Sequence, residues 1–168
     1  MSEEVPVERR ELYRGKVVHL QLTTVLLPDG RRRTREILVH PGAAAVVPLM
    51  DDRIMLIEQY RAAVGRKTLE IPAGTLEPGE SPEDCAQREL LEETGFQAES
   101  WSHVTAYYPS VGYTTEVIHL FRASGLRNVR ELAPEFPVRF LTVNEVRERI
   151  RTGAIMDSKT IIGVLLAT

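Results

Sequence analysis

An α/β domain, a sheet held between helices and preceded by an antiparallel β hairpin, is the fold class that the sequence predicts. Three observations predict it. Residues 13–39 carry extended, alternating patterns on either side of the turn Pro28-Asp29-Gly30. Two apolar runs, Ala43 to Leu49 and Ile54 to Ile57, read as strands buried on both faces. Three segments open with helix-start chemistry: Ser81-Pro82, Thr142 with Glu145, and Asp157-Ser158. Strands interleaved with helices in this order pack as a sheet between helical layers.

In chain order, residues 1–9 are polar or broken by Pro6, and fraying is expected there. Lys16 to Leu27 is rich in β-branched and alternating apolar residues, and Arg32 to Val39 returns beside it, so a hairpin is predicted. A lone hairpin is marginal in water and should lean on a further surface. The triplet Arg31-Arg32-Arg33 reads as a charged edge that blocks unwanted strand pairing. Pro41-Gly42 sets a boundary, giving an N-terminal hairpin over 1–42 and a main domain over 43–168. Within the main domain, Asp51-Asp52 turns the chain into a second core strand, Arg53 to Tyr60, and Leu69 to Ala73 is a further extended segment. Trp101 to Tyr107 and Thr115 to Arg122 are strands flanking the turn Pro109-Ser110-Val111-Gly112, and Val138 to Leu141 is the last strand. The capping box Thr142/Glu145 starts a helix that runs to about Arg151 before Gly153. Asp157 or Ser158 caps a terminal helix through Ile161, Ile162, Val164 and Leu165.

The 168 residues carry 21 basic and 24 acidic side chains, a formal charge of −3 that argues against binding of a nucleic-acid polymer. The single cysteine, Cys85, excludes an internal disulfide framework. An N-terminal apolar signal run is not evident, and no stretch reaches the roughly 18 apolar residues of a membrane span, so a cytoplasmic protein without a membrane partner is expected.

The chemistry concentrates in Gly74 to Phe96. Ser81 is a good N-cap, Pro82 suits the first helical position, Glu83 and Asp84 favour the dipole, and Gly95 closes a helix over 82–94. At about 100° per residue, Cys85, Ala86, Glu89, Leu90 and Glu93 share one side, with Glu92 on its shoulder. Carboxylates on an apolar stripe repel one another and resist burial unless cations compensate them. Glu89 and Glu93 lie one turn apart, able to hold one hard metal or an adjacent pair, and oxygen-only ligands favour Mg2+ or Mn2+ over zinc. The alternative is a solvated acidic helix face.

Gly74, five residues, Glu80, seven residues, Arg88-Glu89-Leu90, one residue, Glu92-Glu93, one residue, Gly95-Phe96 matches every defined position of the Nudix hydrolase signature. The chain therefore resembles that family. The resemblance implies a Nudix-type α/β/α sandwich with a mixed sheet, and Mg2+-dependent hydrolysis of a nucleoside diphosphate linked to another group. It implies Glu89 and Glu93 as principal metal ligands, Glu92 as an auxiliary one and the Ala73 carbonyl as a backbone ligand. Glu80 and Arg88 resemble the family's structural ion pair.

Outside the signature, Glu58-Gln59-Tyr60-Arg61, Leu69-Glu70-Ile71-Pro72-Ala73-Gly74 and Tyr108-Pro109-Ser110-Val111-Gly112-Tyr113 resemble the ADP-ribose pyrophosphatase and nucleoside diphosphate sugar branch. That branch implies a homodimer through the N-terminal hairpin, substrate contacts from Arg61 and Glu70, and Arg35 reaching the nucleotide across the dimer. Arginine suits both places, because its planar fork binds phosphate oxygens and stacks on bases. Val111 stands where the branch usually carries proline, so another nucleoside diphosphate sugar is weighed beside ADP-ribose. The related enzymes often place a catalytic glutamate before the last strand, which points to Glu135, with Glu131 behind it. The competing readings are a hydrolase of damaged nucleoside triphosphates or dinucleoside polyphosphates, and a Nudix-like sensor that binds a nucleotide without cleaving it.

Overall fold

Strand β4 (Ala43–Met50) shows why a run of apolar residues becomes the centre of this fold. Its alternate residues face opposite layers: Ala43, Ala45, Val47 and Leu49 belong to one core cluster, Ala44 and Val46 to two others. A strand covered on both faces has no solvent side, so alternation of polar and apolar residues disappears from it. The computed structural model describes residues 3–129 and 133–168. These fall into two units, Ala43–Tyr107 with Ile118–Thr168, and Met1–Gly42 with Tyr108–Val117.

In the larger unit, β4 pairs in parallel with β10 (Ile118–Ser124) and antiparallel with β5 (Arg53–Arg61). β9 (Ser100–Tyr107) extends the mixed sheet beyond β10, and β12 (Val138–Thr142) extends it beyond β5. β6 (Arg66–Glu70) pairs with β5, and β7 (Ala73–Thr75) with the start of β4. The β4–β7 pairing covers Ala43 to Ala45 and the β4–β5 pairing covers Leu49 and Met50. Pro48, which has no N–H to give, falls in the gap between these pairings. The short strands β8 (Phe96–Gln97) and β11 (Arg127–Asn128) form a separate pair.

Helix α1 (Pro82–Thr94) lies on one face, where Cys85, Ala86 and Leu90 pack with Ala44, Val46, Phe121 and Ala123. On the other face α2 (Val143–Arg151) and α3 (Ser158–Ala167) bring Val146 and Val164 against Val47, Leu56 and Leu120. This is the expected sandwich with a mixed sheet. The caps are those the sequence predicts: Ser81 for α1, the Thr142/Glu145 box for α2 and Asp157 for α3. Among the described residues no helix is long and apolar enough to cross a membrane.

In the smaller unit, β1 (Val5–Arg14), β2 (His19–Leu26) and β3 (Arg32–Leu38) form a three-stranded antiparallel sheet with β2 in the middle. Residues 5–9, expected to fray, are instead the first half of β1. Pro6 breaks nothing, because β1 is an edge strand and its register shifts between Pro6 and Glu8, where a missing N–H is tolerated. The later segment Tyr108–Val117 belongs to this unit, joined by hydrogen bonds of Leu38 with Tyr113 and Thr115.

Candidate metal centre and substrate cleft

Helix α1 delivers its acidic residues at three depths. Glu93 is buried, Glu89 is mostly covered and Glu92 is exposed. The order follows from the amphipathic face already set by Cys85, Ala86 and Leu90, which leaves Glu92 on the shoulder. Gly95, at φ 72°, ends the helix in the left-handed conformation and returns its N–H to the Leu91 carbonyl at 2.8 Å.

Glu93 Oε2 accepts the Ala73 N–H at 3.0 Å, and among the described residues no lysine, arginine or histidine forms an ion pair with it. Burial raises its carboxyl to about 8, opposed by the Ala73 N–H, while the nearby Glu89 and Glu135 raise it further and Arg61 lowers it. Glu89 is raised as well, first by burial, although Arg88 Nη1 lies 2.7 Å from its Oε1. Gly74 leaves the room in which the Glu89 carboxylate lies. A Cβ at that position would lie 1.8 Å from Glu89 Oε1, so the carboxylate occupies the space that any other residue would fill.

Arg88 is the hub that ties loop to helix. It donates from Nε and Nη2 to Glu80 at 2.8 and 3.0 Å, from Nη1 to Glu89 and to Glu92 at 3.1 Å, and from Nη2 to the Thr75 carbonyl at 3.2 Å. The Arg88 guanidinium holds the Glu80 carboxyl down at about 2. Cys85 lies beneath this network, its thiol pushed up to about 12 by burial, and serves as a small core residue.

Glu89, Glu92, Glu93 and Ala73 thus meet at the junction of α1 and β7, but they do not converge on one point. Among the described residues no three His, Cys, Asp or Glu side chains close into a ready cation site. Arg88 draws Glu89 and Glu92 toward Glu80, while Glu93 turns to the Ala73 N–H. The donor set nevertheless fits a hard divalent cation: it is made of oxygen alone, and among the described residues Glu93 is buried without an ion-pair partner.

Glu135 lies at the C-terminal end of α1, where its own N–H reaches the Glu92 carbonyl and the Phe136 N–H reaches that of Glu93, both at 3.2 Å. Its side chain is exposed. Glu131 lies outside the described residues.

Arg61 ends β5 and donates to Glu70 from Nε at 2.8 Å and Nη2 at 2.6 Å. Glu70, expected to contact substrate, lies against the Arg61 guanidinium. Its side chain is 3% exposed, and its oxygens already take Arg61, Thr68 at 2.6 Å and Lys159 at 3.3 Å. Glu70 holds Arg61 in place, and four donors already reach its two oxygens. Burial by itself would raise the Glu70 carboxyl, but Arg61, Lys159 and Thr68 outweigh it and hold the group at about 2. Because this folded-state value lies below the unfolded one, the stability it contributes is present above about pH 4.5 and lost as pH falls toward 2. Melting temperatures measured from pH 6 down to pH 3 are expected to fall more steeply in the wild type than in Glu70→Gln.

Arg35, on β3, is paired with Glu4 through Nη2 and, at 3.1 Å, through Nε. The two line an open cavity of about 280 Å³ within the smaller unit, together with Val111, Gly112 and Tyr113. The residues that sequence reasoning missed are Asp157, Lys159 and Thr160. Asp157 was visible only as a helix cap, and no local spacing signals that Lys159 meets a glutamate 89 positions earlier.

The family model described as NUDIX domain matches residues 39–159. The chain is 40% identical over 164 residues to an ADP-ribose pyrophosphatase of Bacillus subtilis (strain 168), covering 94% of this chain and 89% of that protein. It is 39% identical over 170 residues to a methanol dehydrogenase activator of Bacillus methanolicus, covering 98% and 92%. Among solved structures, the crystal structure of an ADP compounds hydrolase superposes with a TM-score of 0.85 at 21% identity, covering 98% of this chain and 92% of that one, a likeness of fold.

Proposed function

Because the chain belongs to the NUDIX domain family, we propose that it hydrolyses the diphosphate linkage of ADP-ribose or a related nucleoside diphosphate sugar. Water adds to one phosphorus, the bridging P–O bond breaks, and a nucleoside monophosphate and a sugar phosphate leave. From ADP-ribose these are AMP and ribose 5-phosphate. The observation that carries the reading is Glu93, a carboxyl buried at the α1–β7 junction that forms no ion pair with a cationic side chain among the described residues. The identity to the Bacillus subtilis ADP-ribose pyrophosphatase over nearly the whole chain supports the substrate class.

The enzyme depends on a divalent metal, and we take Mg2+ as the working ion with Mn2+ as its substitute, held by Glu89, Glu92, Glu93 and the Ala73 carbonyl. Such an ion supplies charge neutralisation at the diphosphate and a more acidic water. Arg61 contributes a fixed guanidinium to the anionic substrate, and Glu135 takes the proton of the attacking water. We also propose a homodimer, formed through the N-terminal sheet, with Arg35 reaching the nucleotide of the partner protomer. The exposed Val5, Val7, Leu12 and Tyr13 of β1 support a covered edge there. Cytoplasm is the location that suits a nucleotide sugar substrate.

The test is incubation with Mg2+ and ADP-ribose, ADP-glucose, GDP-mannose, diadenosine polyphosphates and 8-oxo-dGTP, followed by chromatography of the products. AMP and ribose 5-phosphate from ADP-ribose are expected, and intact sugar nucleotides with every divalent cation would overturn the reading. Glu135→Gln is expected to lower kcat about a hundred-fold with little change in KM. A variant within a few-fold of wild type would remove Glu135 from the reaction.

A further inference from the structure

The first turn of α3 reaches two parts of the cleft at once. Asp157 caps the helix through Oδ2, which accepts the Thr160 N–H at 2.9 Å and the Thr160 hydroxyl at 2.7 Å. Its Oδ1 accepts Lys159 Nζ at 2.6 Å, and the same ammonium lies 3.3 Å from Glu70 Oε2. Thr160, fully buried, accepts the Ile71 N–H at 2.9 Å. Ile71 is two residues ahead of Ala73, whose N–H holds Glu93.

Around Glu70 the donors are complete. Oε1 takes Arg61 Nε and Thr68 Oγ1, while Oε2 takes Arg61 Nη2 and Lys159 Nζ. Arg61 and Lys159 balance Glu70 and Asp157, so the four groups together are neutral. Among the described residues the guanidinium makes no hydrogen bond through Nη1, and Arg61 borders an open cavity of about 360 Å³ that Lys159 also lines. Without the ammonium, the quartet would carry one net negative charge directly behind the guanidinium, and Glu70 would have only Arg61 to neutralise it. Both changes oppose an incoming anion.

We propose that Lys159 is a positioning residue for substrate binding, sharing the neutralisation of Glu70 so that Arg61 stays oriented and available to a substrate phosphate. Thr160 on the same turn sets the Ile71–Ala73 backbone on which Glu93 rests. The inference deepens the reading of this cleft as a nucleoside diphosphate sugar site and rests on it. A role in packing alone would lower stability and leave the kinetic constants of the folded fraction unchanged.

The experiment measures kcat and KM for ADP-ribose with Mg2+ in full-length wild type, Lys159→Met, Lys159→Arg, Arg61→Met and the double variant Arg61→Met/Lys159→Met. Lys159→Met is expected to raise KM about ten-fold or more with kcat within about two-fold, and Lys159→Arg to return KM to within about three-fold of wild type. In the Arg61→Met background, removing Lys159 is expected to add less than about two-fold, since both act through one guanidinium. An unchanged KM in Lys159→Met, or effects that multiply in the double variant, would overturn the proposal. Should Lys159→Met fail to fold, Lys159→Gln decides: a KM raised about ten-fold with kcat within about two-fold upholds the role, and an unchanged KM ends it. Wild-type protein that cleaves no sugar nucleotide would remove the parent reading, whereas normal wild-type turnover beside an unaltered Lys159→Met removes the role of Lys159 alone.

Discussion

Glu93→Gln is expected to abolish turnover while making the cation-free protein more stable above neutral pH. Both effects come from one buried carboxyl. In the folded chain burial raises it to about 8, against 4.5 for the ordinary carboxyl. Between those values the folded state keeps a proton that the unfolded state has released. Stability from this group is therefore full below about pH 4.5 and is lost as pH rises through about 8, a change of roughly 5 kcal/mol. Glutamine has no such proton to lose, and its side-chain oxygen can still accept the Ala73 N–H. Differential scanning calorimetry in chelator should show the wild type losing melting temperature from pH 6 to pH 9 while Glu93→Gln stays level. Added Mg2+ should stabilise the wild type most at the alkaline end, because binding must displace that proton, and should do little for the variant. The loss of several kcal/mol of charge stabilisation corresponds to a fall in kcat of roughly a thousand-fold. Parallel pH profiles for the two proteins would contradict this account of Glu93.

How far the sequence could be read depended on whether the determining contacts were local. Helix α1 was legible to its ends, because Ser81, Pro82 and Gly95 act on their immediate neighbours. Its facing was legible too, since Cys85, Ala86, Leu90 and Glu93 are all buried as their angular positions require. β4 announced its two covered faces by having no polar residue between Ala43 and Leu49. By contrast, β1 was misread because Pro6 looks like a breaker in isolation, and only pairing with β2 supplies the bulge that accommodates it. Glu70 shows the same limit within the site. A glutamate beside a substrate-binding motif reads as a ligand contact, yet Thr68, Arg61 and Lys159 take its oxygens, and Lys159 arrives from the last helix. The carboxylates of α1 were legible as a group, but their competition for Arg88 was not, because one guanidinium reaching Glu80, Glu89 and Glu92 is a property of the folded loop.

Gly74→Ala is expected to remove activity with little cost in stability. The backbone at Gly74 lies outside the left-handed region, so alanine brings no conformational strain of its own. What it brings is a methyl group where Glu89 now sits, 1.8 Å from Oε1 and 2.0 Å from the carboxyl carbon. Of the two, the side chain yields more easily, because a glutamate end can rotate and a strand paired to β4 cannot. Glu89 would therefore swing away, losing its position beside β7 and its contact with Arg88 Nη1. The fold keeps its core, since Glu89 contributes no apolar packing, and the melting temperature should change by no more than about 2–4 °C, the equivalent of roughly 1 kcal/mol. Turnover should fall at least about a hundred-fold, because a carboxylate proposed as a principal metal ligand has left the junction. The cause can be isolated with Glu89→Gln. If the methyl acts by evicting that carboxylate, Gly74→Ala/Glu89→Gln should be no worse than the more severe single variant. A double variant that multiplies the two losses, or a Gly74→Ala enzyme with normal turnover, would mean that the close approach of glycine to glutamate does not serve the chemistry.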